Sequence, residues 1–162
     1  MTDIKLRNDL SETEALALVE LLFFAYRDFV ADPDQMLEGI GFGRAHHRVL
    51  HFIGRDPGMT VARLLEILKI TKQSLARVLK ELIDKDYVFQ KAGAVDRRQR
   101  LLHLTAKGEA LRQALAAPQI LRFQRAARET DDIKFYELLL RLINPEHRDE
   151  AADWVKRQGA SK

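Results

Sequence analysis

The stretch that decides the fold is residues 60–105, TVARLLEILKITKQSLARVLKELIDKDYVFQKAGAVDRRQRLLHLT. Thr60 is a good N-cap for a short helix whose apolar set is Val61, Leu64, Leu65, Ile67 and Leu68. Thr71 can cap a second helix a few residues later, on which Leu75, Val78, Leu79, Leu82 and Ile83 recur at i, i+3, i+4, i+7 and i+8, so one stripe is buried. An advance of about 100° per residue puts Gln73, Arg77, Lys80 and Asp84 on the opposite face, with Ser74 at its edge. The turn between the helices, Leu68-Lys69-Ile70, lacks the glycine that many such turns carry. After Asp86 the pattern changes to strand formers, Tyr87, Val88 and Phe89, and then to Leu102 and Leu104 alternating with Leu101 and His103. Between these strands lies a turn-rich tip, Ala92-Gly93-Ala94-Val95-Asp96-Arg97-Arg98-Gln99. Two short helices on a tight turn followed by a hairpin make a winged helix-turn-helix.

Helices flank this unit on both sides. Ser11 and Glu14 form a capping box, and the apolar run over residues 15–30 predicts a helix that ends before Pro33. Gly39, Gly41 and Gly43 mark a reversal, and Ala45, Val49, Leu50, Phe52 and Ile53 predict a helix over residues 44–55, closed by Asp56-Pro57-Gly58. Thr105 caps a helix to about residue 117, where Pro118 breaks or restarts it. Segments 119–128 and 133–143 follow, and a last helix starts at Asn144-Pro145, an N-cap with proline at its favoured first position.

The 162 residues bound one ordinary globular domain, 46% hydrophobic. Zero cysteines exclude a disulfide framework, thiolate metal sites, a cysteine nucleophile and a thiol switch. No apolar stretch is long enough to span a bilayer, and the N-terminus lacks the pattern of a signal peptide, so the expected location is cytoplasmic and no membrane partner is expected. The net charge of +3 hides an uneven distribution. Residues 1–42 hold 3 basic and 9 acidic residues, whereas residues 69–100 hold 9 basic residues against Glu81, Asp84, Asp86 and Asp96. Such a block is either a solvated face, the commoner meaning of scattered lysines, or the footprint of a polyanion, and the pattern within the block has to decide.

Double-stranded DNA suits this arrangement, because the major groove admits one helix whose N-terminal residues meet base edges while its apolar stripe stays packed. Gln73 is suited to an adenine edge, Arg77 to guanine or phosphate, and Thr71 and Ser74 to phosphate oxygens, with Lys72 beside them. Arg97 and Arg98 at the tip suit the flanking minor groove.

The run Asp96-Arg97-Arg98-Gln99-Arg100-Leu101-Leu102-His103-Leu104-Thr105-Ala106-Lys107-Gly108 resembles the wing signature of the MarR family of bacterial transcriptional regulators, an Asp-x-Arg followed by Leu-Thr-x-x-Gly opening the next helix. Residues 60–88 resemble that family's helix-turn-helix, including Thr71-Lys72-Gln73-Ser74. Over roughly residues 12–145 the resemblance implies a mainly α fold with a small β-hairpin wing: four helices, two strands and two further helices, here with extra C-terminal helical breaks at Pro118 and Pro145. It also implies a homodimer on a pseudo-palindromic DNA site, with residues 43–105 as the winged helix-turn-helix lobe and residues 1–42 and 106–162 as the dimerisation region. Asp96 is then expected to orient Arg98, with Arg97 as a further phosphate contact. A small-molecule pocket is implied between the first helices, the dimer helices and the DNA-binding lobe, with Tyr26, Arg27, His46 and His47 as its lining.

His46 falls within the apolar arc of Val49, Leu50 and Ile53, while His47 and His51 lie on the other side at i, i+4 spacing. With no third ligand evident, no metal and no cofactor are expected, and the histidines are read either as structural or as lining a small-molecule pocket. Imidazoles titrating near neutral pH would make an anion site there pH-sensitive. The absence of a Gly-x-Ser-x-Gly elbow, a phosphate-cradling glycine loop and a metal triad argues against an enzyme. The expected function is a sequence-specific transcriptional regulator, a repressor released by a small ligand. The alternative is a winged-helix protein-interaction module without DNA specificity.

Overall fold

The computed structural model describes residues 10–130 and 134–159. Residues 1–9 of the expected 1–42 segment, Ile133 at the start of the expected 133–143 helix, and residues 160–162 lie outside the described residues. In chain order the elements are α1 (Glu12–Glu38), α2 (Arg44–Arg55), β1 (Met59–Thr60), α3 (Val61–Leu68), α4 (Lys72–Asp84), β2 (Val88–Ala92), β3 (Arg100–Leu104), α5 (Ala106–Glu129), α6 (Phe135–Leu142) and α7 (Pro145–Gly159). The chain is mainly helical with a small antiparallel sheet in the order β1-β3-β2, so the winged helix-turn-helix is present as expected. Strand β1 was not expected, since two residues carry no alternation to detect; it pairs Met59 with Leu102 and Thr60 with Leu101.

The core is organised around α2. Val49, Leu50 and Ile53 are fully buried on its inner face, against Leu64 of α3, Leu75, Val78 and Leu82 of α4, Leu102 of β3 and Leu115 of α5. Each such side chain contributes roughly 1.5–3 kcal/mol of transfer free energy, which outweighs any of the polar contacts described below. The expected caps are made: Thr60 Oγ1 accepts from the N–H of Arg63 at 3.2 Å, and Ser11 and Glu14 form the capping box. Helix α4 departs from expectation only at its end, where Ile83 remains partly exposed.

Two expectations about proline are overturned. Helix α1 does not end before Pro33 but runs through it to Glu38, and Pro118 lies inside α5 rather than breaking it. A proline within a helix frees the carbonyl four residues earlier, here that of Phe29. Gln119 Nε2 donates to that oxygen at 3.3 Å, so a side chain of α5 takes the place of the lost backbone donor. Around this point Phe29 meets Phe123 edge-on at 5.7 Å and Arg122 pairs with Asp32 at 3.3 Å. Packing against α5 therefore supports α1 past its proline, and since α5 runs on through Pro118 the expected 119–128 segment is the second half of α5. Continuation of α1 also delivers Leu37 to the core, where it is fully buried. At Pro145 the expectation stands: α6 ends at Leu142 and the proline opens α7.

Helix α7 returns to the helix-turn-helix. Trp154 meets Phe52 edge-on at 5.5 Å, Glu150 pairs with Arg63 at 2.6 Å, and Lys69 Nζ donates to His147 Nε2 at 2.8 Å.

Gly108 fixes how α5 leaves the wing. Thr105 Oγ1 caps the helix by accepting from the N–H of Gly108 at 3.0 Å, and the N–H of Thr105 donates to the carbonyl of Tyr87 at 3.1 Å. A Cβ on Gly108 would lie 2.0 Å from that same carbonyl oxygen, an approach only glycine permits. Gly108→Ala is accordingly expected to cost about 2 kcal/mol or more and lower Tm by roughly 4–8 °C, read by thermal unfolding followed by circular dichroism.

Candidate nucleic-acid interface

The turn before α4 solves its missing glycine with a lysine. Lys69 takes the left-handed conformation at φ 51°, a position that costs a non-glycine residue about 1 kcal/mol, and its N–H donates to the Leu65 carbonyl at 2.9 Å. Thr71 then caps α4, accepting from the N–H of Ser74 at 3.1 Å and donating to Ser74 Oγ at 2.9 Å. Leu75, Val78, Leu79 and Leu82 are buried, and this burial turns Thr71, Lys72, Gln73, Ser74 and Arg77 out to solvent together. The first turn of α4 holds no acidic residue and begins with Lys72, whereas α1 places Glu12 and Glu14 in its first turn. The partial positive charge of that helix end is left for an external anion.

The wing tip is shaped by backbone bonds. The N–H of Gly93 donates to the Gln99 carbonyl at 3.0 Å, and the N–H of Gln99 to the Asp96 carbonyl at 3.1 Å. Asp96 Oδ1 accepts from the backbone N–H of Arg98 at 2.9 Å. Asp96 thus acts on Arg98 through the main chain, fixing the turn from which the side chain leaves. Arg97, Arg98 and Arg100 are exposed, as is Val95 beside them.

A cleft of about 260 Å³ opens between α1, α2 and α5. Its walls are Tyr26, Phe29, Val30 and Asp34 of α1, Arg44, His47, Arg48, His51 and Phe52 of α2, and Gln119 of α5. Tyr26 and His47 are where the sequence places them. Arg27 and His46 are not part of this lining: Arg27 pairs with neighbouring Asp28 at 2.8 Å in solvent, and His46 is buried on the opposite side of α2, against Phe42 and Glu81. The apolar arc that sets His46 among Val49, Leu50 and Ile53 already turns it toward the core. Sequence reasoning missed Arg44, Arg48 and His51, although their spacing from His47 sets all four on one face of α2. Arg44 pairs with Asp34 at 2.7 Å, and Arg48 Nη2 donates to the Tyr26 hydroxyl at 3.5 Å. Among the described residues no three or more His, Cys, Asp or Glu side chains cluster in a way that could hold a metal ion. No helix among them is long and apolar enough to cross a membrane.

Both imidazoles of the cleft are held below their ordinary value. Burial pushes His51 down to about 4, helped by the charges of His47, Arg112 and Arg55, and burial lowers His47 as well. With an ordinary value of 6.5 in the unfolded chain, His51 binds a proton more readily unfolded than folded. Its stabilising effect is complete above about pH 6.5 and is lost as the pH falls towards about 4. Urea unfolding should show roughly 2–3 kcal/mol less stability at pH 4 than at pH 7 from this group, and His51→Gln should flatten that slope.

Comparison with known proteins agrees with this geometry. A model of the MarR family matches residues 40–99, which span α2, the helix-turn-helix, the first wing strand and the wing tip, ending just before β3. The HTH-type transcriptional regulator PetP of Rhodobacter capsulatus is 51% identical over 110 residues, a match spanning 68% of this chain and 66% of that protein. Among solved structures, the transcriptional regulator SlyA is similar at a TM-score of 0.64 and 15% identity, with 85% of this chain and 96% of that one covered. Streptococcus pneumoniae FabT, solved in complex with DNA, is similar at a TM-score of 0.58 and 19% identity, with 88% and 93% covered. The structural likenesses speak for the fold, and the family model and the PetP match for descent: the chain belongs to the MarR family of transcriptional regulators.

Proposed function

We propose that this protein is a homodimeric, sequence-specific DNA-binding repressor. The observation that carries the DNA reading is the outward face of α4, where Thr71, Lys72, Gln73, Ser74 and Arg77 are all exposed on an acid-free helix N-terminus. In this reading α4 enters the major groove, Gln73 and Arg77 meet base edges, and Thr71, Lys72 and Ser74 contact phosphates. Arg97 and Arg98, held by the turn that Asp96 fixes, reach the flanking minor groove. Residues 43–105 form the reading lobe. The DNA in the FabT structure supports this use of the fold.

The dimer reading rests on apolar surface. Helix α1 exposes Leu16, Leu21, Leu22, Phe23 and Phe24, and Phe23 is 67% exposed. Ile120 and Leu121 of α5 and Tyr136 and Leu142 of α6 are also exposed. A helix apolar on several sides is one buried on several sides in its working state. Segments 1–42 and 106–162 supply this pairing surface, and pairing sets two α4 helices about one DNA turn apart. The cleft is the effector site: Phe29, Val30 and Phe52 supply apolar wall and Arg48 a charge, which suits a small amphipathic acid. A ligand wedged between α1 and α2 moves the helix that carries α4, and so lowers affinity by changing the spacing of the two lobes.

Two measurements test this. DNA selected from a random pool should carry a two-fold related motif, and affinity for it should fall steeply with salt. Arg98→Ala should weaken binding to all sequences and reduce the salt slope by about 1, while Gln73→Ala should change preference at one position by about 1–3 kcal/mol. Selection without any enriched motif overturns the reading and favours a protein-interaction module. In sedimentation equilibrium at micromolar concentration the protein should be a dimer and Phe23→Glu should shift it towards monomer; a wild-type monomer rejects the dimer.

A further inference from the structure

The side chain of Arg77 does not stand alone on the outer face of α4. One turn later on the same helix, Glu81 Oε1 accepts from Arg77 Nη1 at 2.9 Å, and Glu81 Oε2 accepts from His46 Nε2 at 2.7 Å. The other ring nitrogen, His46 Nδ1, accepts from the backbone N–H of Gly43 at 3.1 Å. That bond leaves the proton of the neutral ring on Nε2, aimed at Glu81. The ring is itself fixed, 5% exposed and stacked on Phe42 at 4.4 Å with the planes 11° apart. The chain thus runs from a buried anchor at the start of α2, through a half-buried carboxylate with both oxygens engaged, to an exposed guanidinium.

Lys80 and Asp84 offer an internal control on the same helix. They also pair at i, i+4, but both are exposed and neither bonds to a buried group among the described residues. Such a pair is worth little and sets no geometry. Glu81 differs because its position is decided from the core. It also sets a carboxylate near where phosphates would pass, a charge that works against general DNA affinity. A group that opposes binding to any DNA while holding one arginine in place trades affinity for discrimination.

We propose that Glu81, anchored by His46, is a positioning residue for DNA recognition: it holds the Arg77 guanidinium in one orientation on α4, so that selectivity at one base position is set by the His46-Glu81-Arg77 chain. This rests on Arg77 contacting DNA, as argued above. A long arginine loses rotamer freedom on docking, and one whose fork is already held loses less. One N–H of that fork is engaged by Glu81, and the remaining donors are left for a base or phosphate.

The test uses the full-length protein and two duplexes of equal length, one drawn from the fragments the wild-type protein selects and one of scrambled sequence. Affinities are measured for wild type, Glu81→Gln, Arg77→Ala and the double variant. Glu81→Gln should lower the ratio of selected to scrambled affinity by about threefold or more, while binding to the scrambled duplex stays equal or tightens. In the Arg77→Ala background the same change should leave the ratio unaltered. His46→Phe, which keeps the stack on Phe42 but removes the Nε2 donor, should reproduce the loss, and His46→Gln, which keeps a donor, should restore part of it. An unchanged ratio in Glu81→Gln, or an equal fall with and without Arg77, overturns the proposal. If Arg77→Ala leaves both affinities unchanged, the DNA role of Arg77 fails first and the positioning role falls with it.

Discussion

The structure depends on the burial of one face of α2. Val49, Leu50 and Ile53 share one buried core with side chains of α1, α3, α4, β3 and α5. Whatever displaces α2 therefore displaces the helix whose polar face points outward, because interiors packed at crystal-like density transmit shifts rather than absorb them. The two faces of α2 divide the molecule's work. His46 and its apolar neighbours hold α4, and His47, Arg44, Arg48 and His51 line the cleft.

Charge reinforces this division. The acidic α1 answers the basic second half of α5, as in the Asp32–Arg122 pair, whereas the basic residues of the wing tip have no acidic partner on another element among the described contacts. Such exposed positive charge is the surface that the proposed contact with DNA would use.

Much of this was legible in the sequence where the deciding contacts are local. The helices α2, α3 and α4, the threonine caps of α3 and α4 and the hairpin follow from 3.6-residue and 2-residue periods and from residues within four positions of each other. The exposed face of α4 follows from the same arithmetic. What was not legible depends on partners far along the chain. Pro33 reads as a break because the donor that takes the freed Phe29 carbonyl lies 90 residues away, in Gln119. His46 could be placed towards the core but not in its role, since Glu81 is 35 positions distant. Arg27 and Tyr26 are adjacent, and only the packing of α1 decides that one lines the cleft and the other faces solvent.

The return of α7 to Phe52 has an optical consequence. The chain contains a single tryptophan, Trp154, and its indole lies 5.5 Å from a ring that also walls the cleft. Its emission senses the polarity and packing around Phe52 without any attached dye. If the proposed effector binds there, a shift in the packing of Phe52 would register in the emission of this one indole, free of background from any other tryptophan.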